Sequence, residues 1–133
     1  MENKEFFDYY AKFVDSVTSE TSQKDDLFAA RMAELSAKLE GKYARLDNAV
    51  AGLSGESGEI ADLWKKIKFH QLAYDEEIKD KLIKELGDVC WYLCLAANAL
   101  NVPLNEIIEK NIRKLHERHP HGFSPAYMQQ KKG

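Results

Sequence analysis

The chain has 133 residues, 44% hydrophobic and 31% charged, a balance that suits one globular domain with a real core and excludes an intrinsically disordered segment. Its formal net charge of −3 leaves no global basic field, which argues against a nucleic-acid or anionic-membrane binder. With only three prolines and widely spaced turn signals, helices are favoured over a β-sandwich or barrel.

Five helices are predicted in chain order. The start, MENKEFFDYY, lacks the basic segment and apolar run of a signal peptide, so a cytosolic protein is expected. The first helix runs over about Lys4 to Val17, with Phe6, Phe7, Tyr10, Phe13, Val14 and Val17 at helical spacing. SVTSETSQKDD reads as a polar turn, and a second helix over about Asp25 to Leu39 stops near Gly41. The third runs from about Ala44 to His70, and HQLAYDEE makes a loop. The fourth spans about Glu76 to Leu100 and ends at NVP, because the residue before proline resists helical geometry. The fifth covers about Leu104 to Arg118 and closes on HPHGFSP, with a loose tail, MQQKKG.

The fourth helix has no charged residue from Val89 to Asn105. Asn98, Asn101 and Pro103 interrupt that run, and its apolar part is shorter than the roughly 20 residues of a membrane span. Apolar nearly all round, it is expected to be covered on more than one side, most simply by a second subunit. Cys90 and Cys94 are expected as small buried side chains in a reducing compartment.

On helical wheels, Ala49, Leu53, Ile60, Trp64 and Ile67 form the third helix's apolar arc, with Glu56 at its edge and Glu59 one turn along. Gly52 and Gly55 on that flank allow a close approach. On the fourth helix Leu82, Leu86, Val89, Leu93 and Ala97 define the arc, bordered by Glu85 and then Asp88. Two acidic pairs at i and i+3, with Gly55, Gly58 and Gly87 nearby, would repel one another unless a cation sat between them. Hard divalent ions, Mg2+ or Mn2+, suit carboxylate oxygens. Asn111, Lys114 and Arg118 share one strip of the fifth helix, beside the arc of Leu104, Ile108, Ile112 and Leu115, and are suited to phosphate oxygens. Lys66 projects on the flank of Glu59, whereas Lys65 and Lys68 read as solvated. Acid for metal and base for phosphate point to a nucleotide or diphosphate substrate. His116, His119 and His121 meet no zinc spacing, and Trp64, Trp91 and Tyr92 read as core rather than base-stacking groups.

RLDNAVAGLSGESGEIADLWKKIKF, KELGDVCWYL and NIRKLHERHPHGF, in that order, closely resemble the MazG-like all-α nucleoside triphosphate pyrophosphohydrolases, above all the small single-domain forms of phages and bacteria. The resemblance implies an all-α helical bundle of about five helices in one domain over 1–133, with a MazG-like core over 44–123 and N-terminal helices over 1–43. It implies that Glu56, Glu59, Glu85 and Asp88 bind Mg2+ or Mn2+, two or more ions per site. Asn111, Lys114 and Arg118 would contact substrate, with Lys66 beside them. A homo-oligomer, dimer or tetramer, is implied as well. The implied reaction splits a (deoxy)nucleoside triphosphate into monophosphate and pyrophosphate, with a water of the metal's shell oriented by Glu56 or Glu59. The deoxynucleotide pool is the expected target, dGTP or dCTP first, in the cytoplasm of a cell or of a phage's host. No nucleic acid or membrane partner is expected. The alternatives are a phosphoribosyl-ATP pyrophosphohydrolase and a helical oligomerisation module without chemistry.

Overall fold

A computed structural model describes residues 2–130, excluding the side chains of Tyr127 and Gln130. Among these residues it is all-helical: α1 (Asn3–Ser16), α2 (Glu20–Gln23), α3 (Asp25–Lys38), α4 (Tyr43–Phe69), α5 (Glu76–Ala99), α6 (Leu104–Arg118) and α7 (Pro125–Gln130). The five long helices fall where the periodicity predicts them. Two short ones are additions. The turn after α1 contains α2 because Ser19 caps it, its Oγ accepting from Ser22 N at 3.3 Å. The other, α7, starts at Pro125 in HPHGFSP, where proline at the first position is already set for a helix, and takes in the first three residues of the supposedly loose tail. The last three residues of the tail lie outside the described residues.

The helix ends follow local chemistry. At the end of α3, Glu40 takes a left-handed φ of 54°, and Gly41 N donates back to Ser36 O at 2.8 Å. Asn101 ends α5 the same way, at φ 59°, with Val102 N donating to Ala97 O at 3.0 Å. Both are Schellman stops, so α5 is closed by Asn101 itself as well as by the proline that follows. Asp75 caps its other end, Oδ1 accepting from Ile78 N at 3.0 Å.

The chain divides into two compact units, 1–43 and 44–133. In the first, α2 packs on α3, and Gln23 Nε2 ties the turn by donating to Asp15 O at 2.9 Å and Thr18 O at 2.7 Å. Every α1 residue is exposed, the aromatic ones included. In the second unit α4 and α5 lie antiparallel, with Tyr92 against Gly52 and Glu85 against Glu56, and α6 packs on α5.

The inward stripe of α4 is Leu46, Ala49, Leu53, Glu56, Ile60, Leu63 and Ile67, all buried or half-buried. On α5 it is Ile78, Leu82, Glu85, Val89, Tyr92, Ala96 and Ala99. Ala49, Leu53, Ile60 and Ile67 of α4 and Leu82 and Val89 of α5 lie in these stripes as expected, and the differences are at Trp64, Leu86 and Leu93. Leu63, 7% exposed, takes the place expected for Trp64, which is 46% exposed. Leu86 and Leu93 turn outward with Trp91, Cys90 and Cys94, contrary to the buried cysteines and tryptophans the sequence suggests. The reason is that α4 and α6 cover only part of α5, so an all-round apolar helix keeps a remaining face uncovered within one chain. The described buried core is correspondingly small: Ala49, Leu63, Ala97 and Ala99.

Gly52 has the clearest reason to be glycine. A Cβ built there would overlap the Tyr92 ring, whereas Gly87 on α5 has open space around it. Gly52→Ala should therefore lower the unfolding free energy by about 1–3 kcal/mol. Gly87→Ala should raise it by about 0.5–1 kcal/mol through helix propensity alone. Chemical denaturation of the two variants checks the opposite signs.

Candidate active site

The two inward stripes are apolar except at their middles, where Glu56 and Glu85 face each other. One carboxylate oxygen from each of Glu56, Glu59 and Glu85 lies within 4.8 Å of the others. Glu56 and Glu85 are half-buried and Glu59 is exposed. While both carboxylates are ionised neither has a proton to offer. Accordingly, Glu56 Oε2 and Glu85 Oε2 are shielded from solvent and lack a hydrogen-bond partner. A shielded acceptor left unsatisfied on each of two facing carboxylates is costly.

The electrostatics record that cost. The Glu56 carboxyl is pushed up from its ordinary 4.5 to about 7. A proton shared with Glu85 is the largest cause, followed by burial and the charges of Glu59, Asp88 and Glu85. Asp88 thus acts on the site through its charge, although it stands outside the three-oxygen cluster. A hard divalent cation fits this donor set: oxygen-only, anionic, and unsatisfied at the point of convergence.

Beside the cluster opens a cleft of about 360 Å³ lined by Gly55, Gly58, Glu59, Asp62, Leu63, Lys66, Lys81 and Glu85. The two glycines, with nothing within reach of a Cβ, keep its α4 wall low. Lys66 lies in it, as its flank suggests, held by Asp62 at 2.9 Å, with Lys65 on the same carboxylate at 3.4 Å. The Lys66 ammonium, bonded to Asp62, holds that carboxyl below the usual range. Asn111, Lys114 and Arg118 are exposed on α6 and do not line this cleft.

Sequence reasoning passed over Asp62 and Lys81. Asp62 extends the acidic series Glu56, Glu59 at the same interval of three, and Lys81 precedes Glu85 by one turn. Both signals are present in the sequence, but only the wall across the cleft shows that these side chains line it.

The raised Glu56 carboxyl fixes a pH dependence. The folded chain holds this proton more tightly than the unfolded chain, so the stabilisation is full below pH 4.5 and is lost as pH rises through about 7. In chelator, the melting temperature of the wild type should fall across that window by more than that of Glu56→Gln. Thermal melts of both proteins at several pH values measure this directly.

The model of the MazG nucleotide pyrophosphohydrolase domain matches residues 45–123, most of the unit that holds the cleft. The Gene 37 protein of Mycobacterium phage L5 is 41% identical over 78 residues, covering 58% of this chain and 68% of that protein. No solved structure matches the chain. The extent of the family match, over more than half the chain and including the whole acidic cluster, decides the assignment: this chain belongs to the MazG nucleotide pyrophosphohydrolase domain family.

Proposed function

We propose that the chain is a divalent-metal-dependent nucleoside triphosphate pyrophosphohydrolase that releases pyrophosphate from (deoxy)nucleoside triphosphates. The observation that carries this reading is the convergence of Glu56, Glu59 and Glu85 beside a lysine-bearing cleft. Glu56, Glu59 and Glu85 would hold Mg2+ or Mn2+, with Asp88 adding its charge. The ion, when bound, neutralises phosphate charge and supplies Lewis acidity.

The chain's own residues do the rest. Glu59, exposed on the cleft wall, orients a water and accepts its proton. The water oxygen bonds to one phosphorus of the α–β anhydride. The bridging oxygen departs on the other phosphorus with the bonding electron pair. Lys66 steadies the phosphate chain from the far end of the cleft. Asn111, Lys114 and Arg118 are the remaining candidates for substrate contact. Catalysis of this kind is mostly positioning and electrostatics. Among the described residues no helix is long and apolar enough to cross a membrane. The deoxynucleotide pool is the proposed target, dGTP and dCTP being the first substrates to try.

A panel of ribo- and deoxyribonucleoside triphosphates with Mg2+ tests the reading. Pyrophosphate, not single phosphate, should appear, and Glu59→Gln should reduce the rate on the order of 10²–10³-fold while the fold persists. Turnover of phosphoribosyl-ATP alone would favour a narrower enzyme, and no turnover at all a module without chemistry.

We also propose that the working form is a homo-oligomer. Trp91, Ile108, Ile112 and Leu115 are each 44–57% exposed, more apolar surface than a stable monomer ordinarily leaves in water. Sedimentation should give a mass at twice or four times that of one chain. A mass of one chain at micromolar concentration would refute the assembly.

A further inference from the structure

We propose that the apolar face of α1 is a self-association surface that pairs with the same face of a second copy of this chain. The inference does not depend on the pyrophosphohydrolase reading. It adds an interface in the unit 1–43 to the α5 and α6 surface already assigned to assembly.

α1 lies outside the span that the family matches, 45–123. Five of its side chains are aromatic, Phe6, Phe7, Tyr9, Tyr10 and Phe13, and each is 49–64% exposed. Val14, and Val17 at the helix end, are exposed as well. Among the described ring contacts, Phe6 meets Phe7 at 5.7 Å and Tyr10 meets Phe13 at 6.4 Å, both within α1 itself. At 3.6 residues per turn the apolar side chains share one side of the helix, and Lys4, Glu5, Asp8, Lys12 and Asp15 all lie on the other.

Such a helix does not stand alone in water. It has 14 residues, and isolated helices of about that length are marginal. Phe, Tyr and Val are weak helix formers, and no side chain caps its start. Packing must supply what propensity lacks, and the spacing indicates the partner. Phe6, Tyr10, Phe13 and Val17 follow one another at intervals of four, three and four, the seam of helices that pair with helices. Size agrees. Five half-exposed rings and two valines leave on the order of 700 Å² of apolar surface, more than the roughly 300–600 Å² of the largest patch on a typical monomer. Two copies of the face bury on the order of 1,400 Å², within the roughly 1,200–2,000 Å² of a stable interface. An isologous pair meets this need with no second kind of protein. The charged side disfavours a lipid surface, because it carries three acids against two lysines where a membrane-surface helix is basic.

Sedimentation equilibrium of two full-length charge variants tests the pairing. One carries Tyr10→Lys and Phe13→Lys, the other Tyr10→Glu and Phe13→Glu. Lysine and glutamate form helices better than the rings they replace, so α1 keeps its propensity. Each variant alone should show about half the mass of the wild type, because like charges meet across the seam. An equimolar mixture should regain the wild-type mass, since each lysine then meets a glutamate whether the two helices run parallel or antiparallel. Asp8→Lys, on the charged side, should keep the wild-type mass. A wild-type mass in either double variant, a mixture that stays at half mass, or an equal drop in Asp8→Lys overturns the inference. In each of those cases a wild type of two or four chains leaves the α5 and α6 assembly standing. A wild type of one chain overturns both.

Discussion

Repulsion between Glu56 and Glu85 across the α4–α5 seam is the constraint around which this unit is organised. Each glutamate occupies the middle of an inward stripe that is otherwise apolar, where a leucine would stabilise the pair of helices more. Placing two acids there raises the Glu56 carboxyl to about 7 and leaves two shielded oxygens without donors. Such an arrangement is poorly suited to holding helices together and well suited to holding a cation. It illustrates how a strained polar cluster inside a small core identifies a site on physical grounds.

The rest of the seam compensates by close approach rather than by bulk. Gly52 admits the Tyr92 ring, and three of the four buried residues of the described core are alanines. Helices that meet on small side chains place the glutamates of opposing walls near enough to share one ion. Leu86, Trp91 and Leu93 of α5 and Ile108, Ile112 and Leu115 of α6 are, meanwhile, exposed. One surface of α5 faces the site and another meets α6, while Leu86 and Trp91 stay exposed.

Much of this was legible in the sequence because it rests on local rules. Helix positions followed from 3.6-residue periodicity, the stop near Gly41 from a residue that tolerates left-handed backbone, and the end of α5 from the proline of NVP, although Asn101 itself takes the left-handed turn. The carboxylates at i and i+3 showed which side chains share a strip. What periodicity leaves open is where the centre of a strip lies when a helix is apolar on several faces. Trp64 and Leu63 are adjacent in sequence, and only the partner helix decides which of them turns inward. The same ambiguity placed Glu56 and Glu85 at the borders of their arcs, when they sit in the stripes themselves. Lys81 escaped notice for a related reason: only the wall across the cleft shows that it lines one, and α5 alone shows only another lysine on a charged first half. The small helices α2 and α7 are too short for a periodic signal, so only their capping residues announce them.

The central claim is that three carboxylates from two helices form one cation site. Titrating the metal-free protein with Mn2+ at pH 7.5, followed by electron paramagnetic resonance of the free ion, addresses it most directly. The account predicts stoichiometric uptake by the wild type and a large loss of uptake in Glu85→Gln, although Glu85 lies on a different helix from Glu56 and Glu59. Uptake unaffected by that substitution, or a folded wild type that leaves all the manganese in solution, would contradict it.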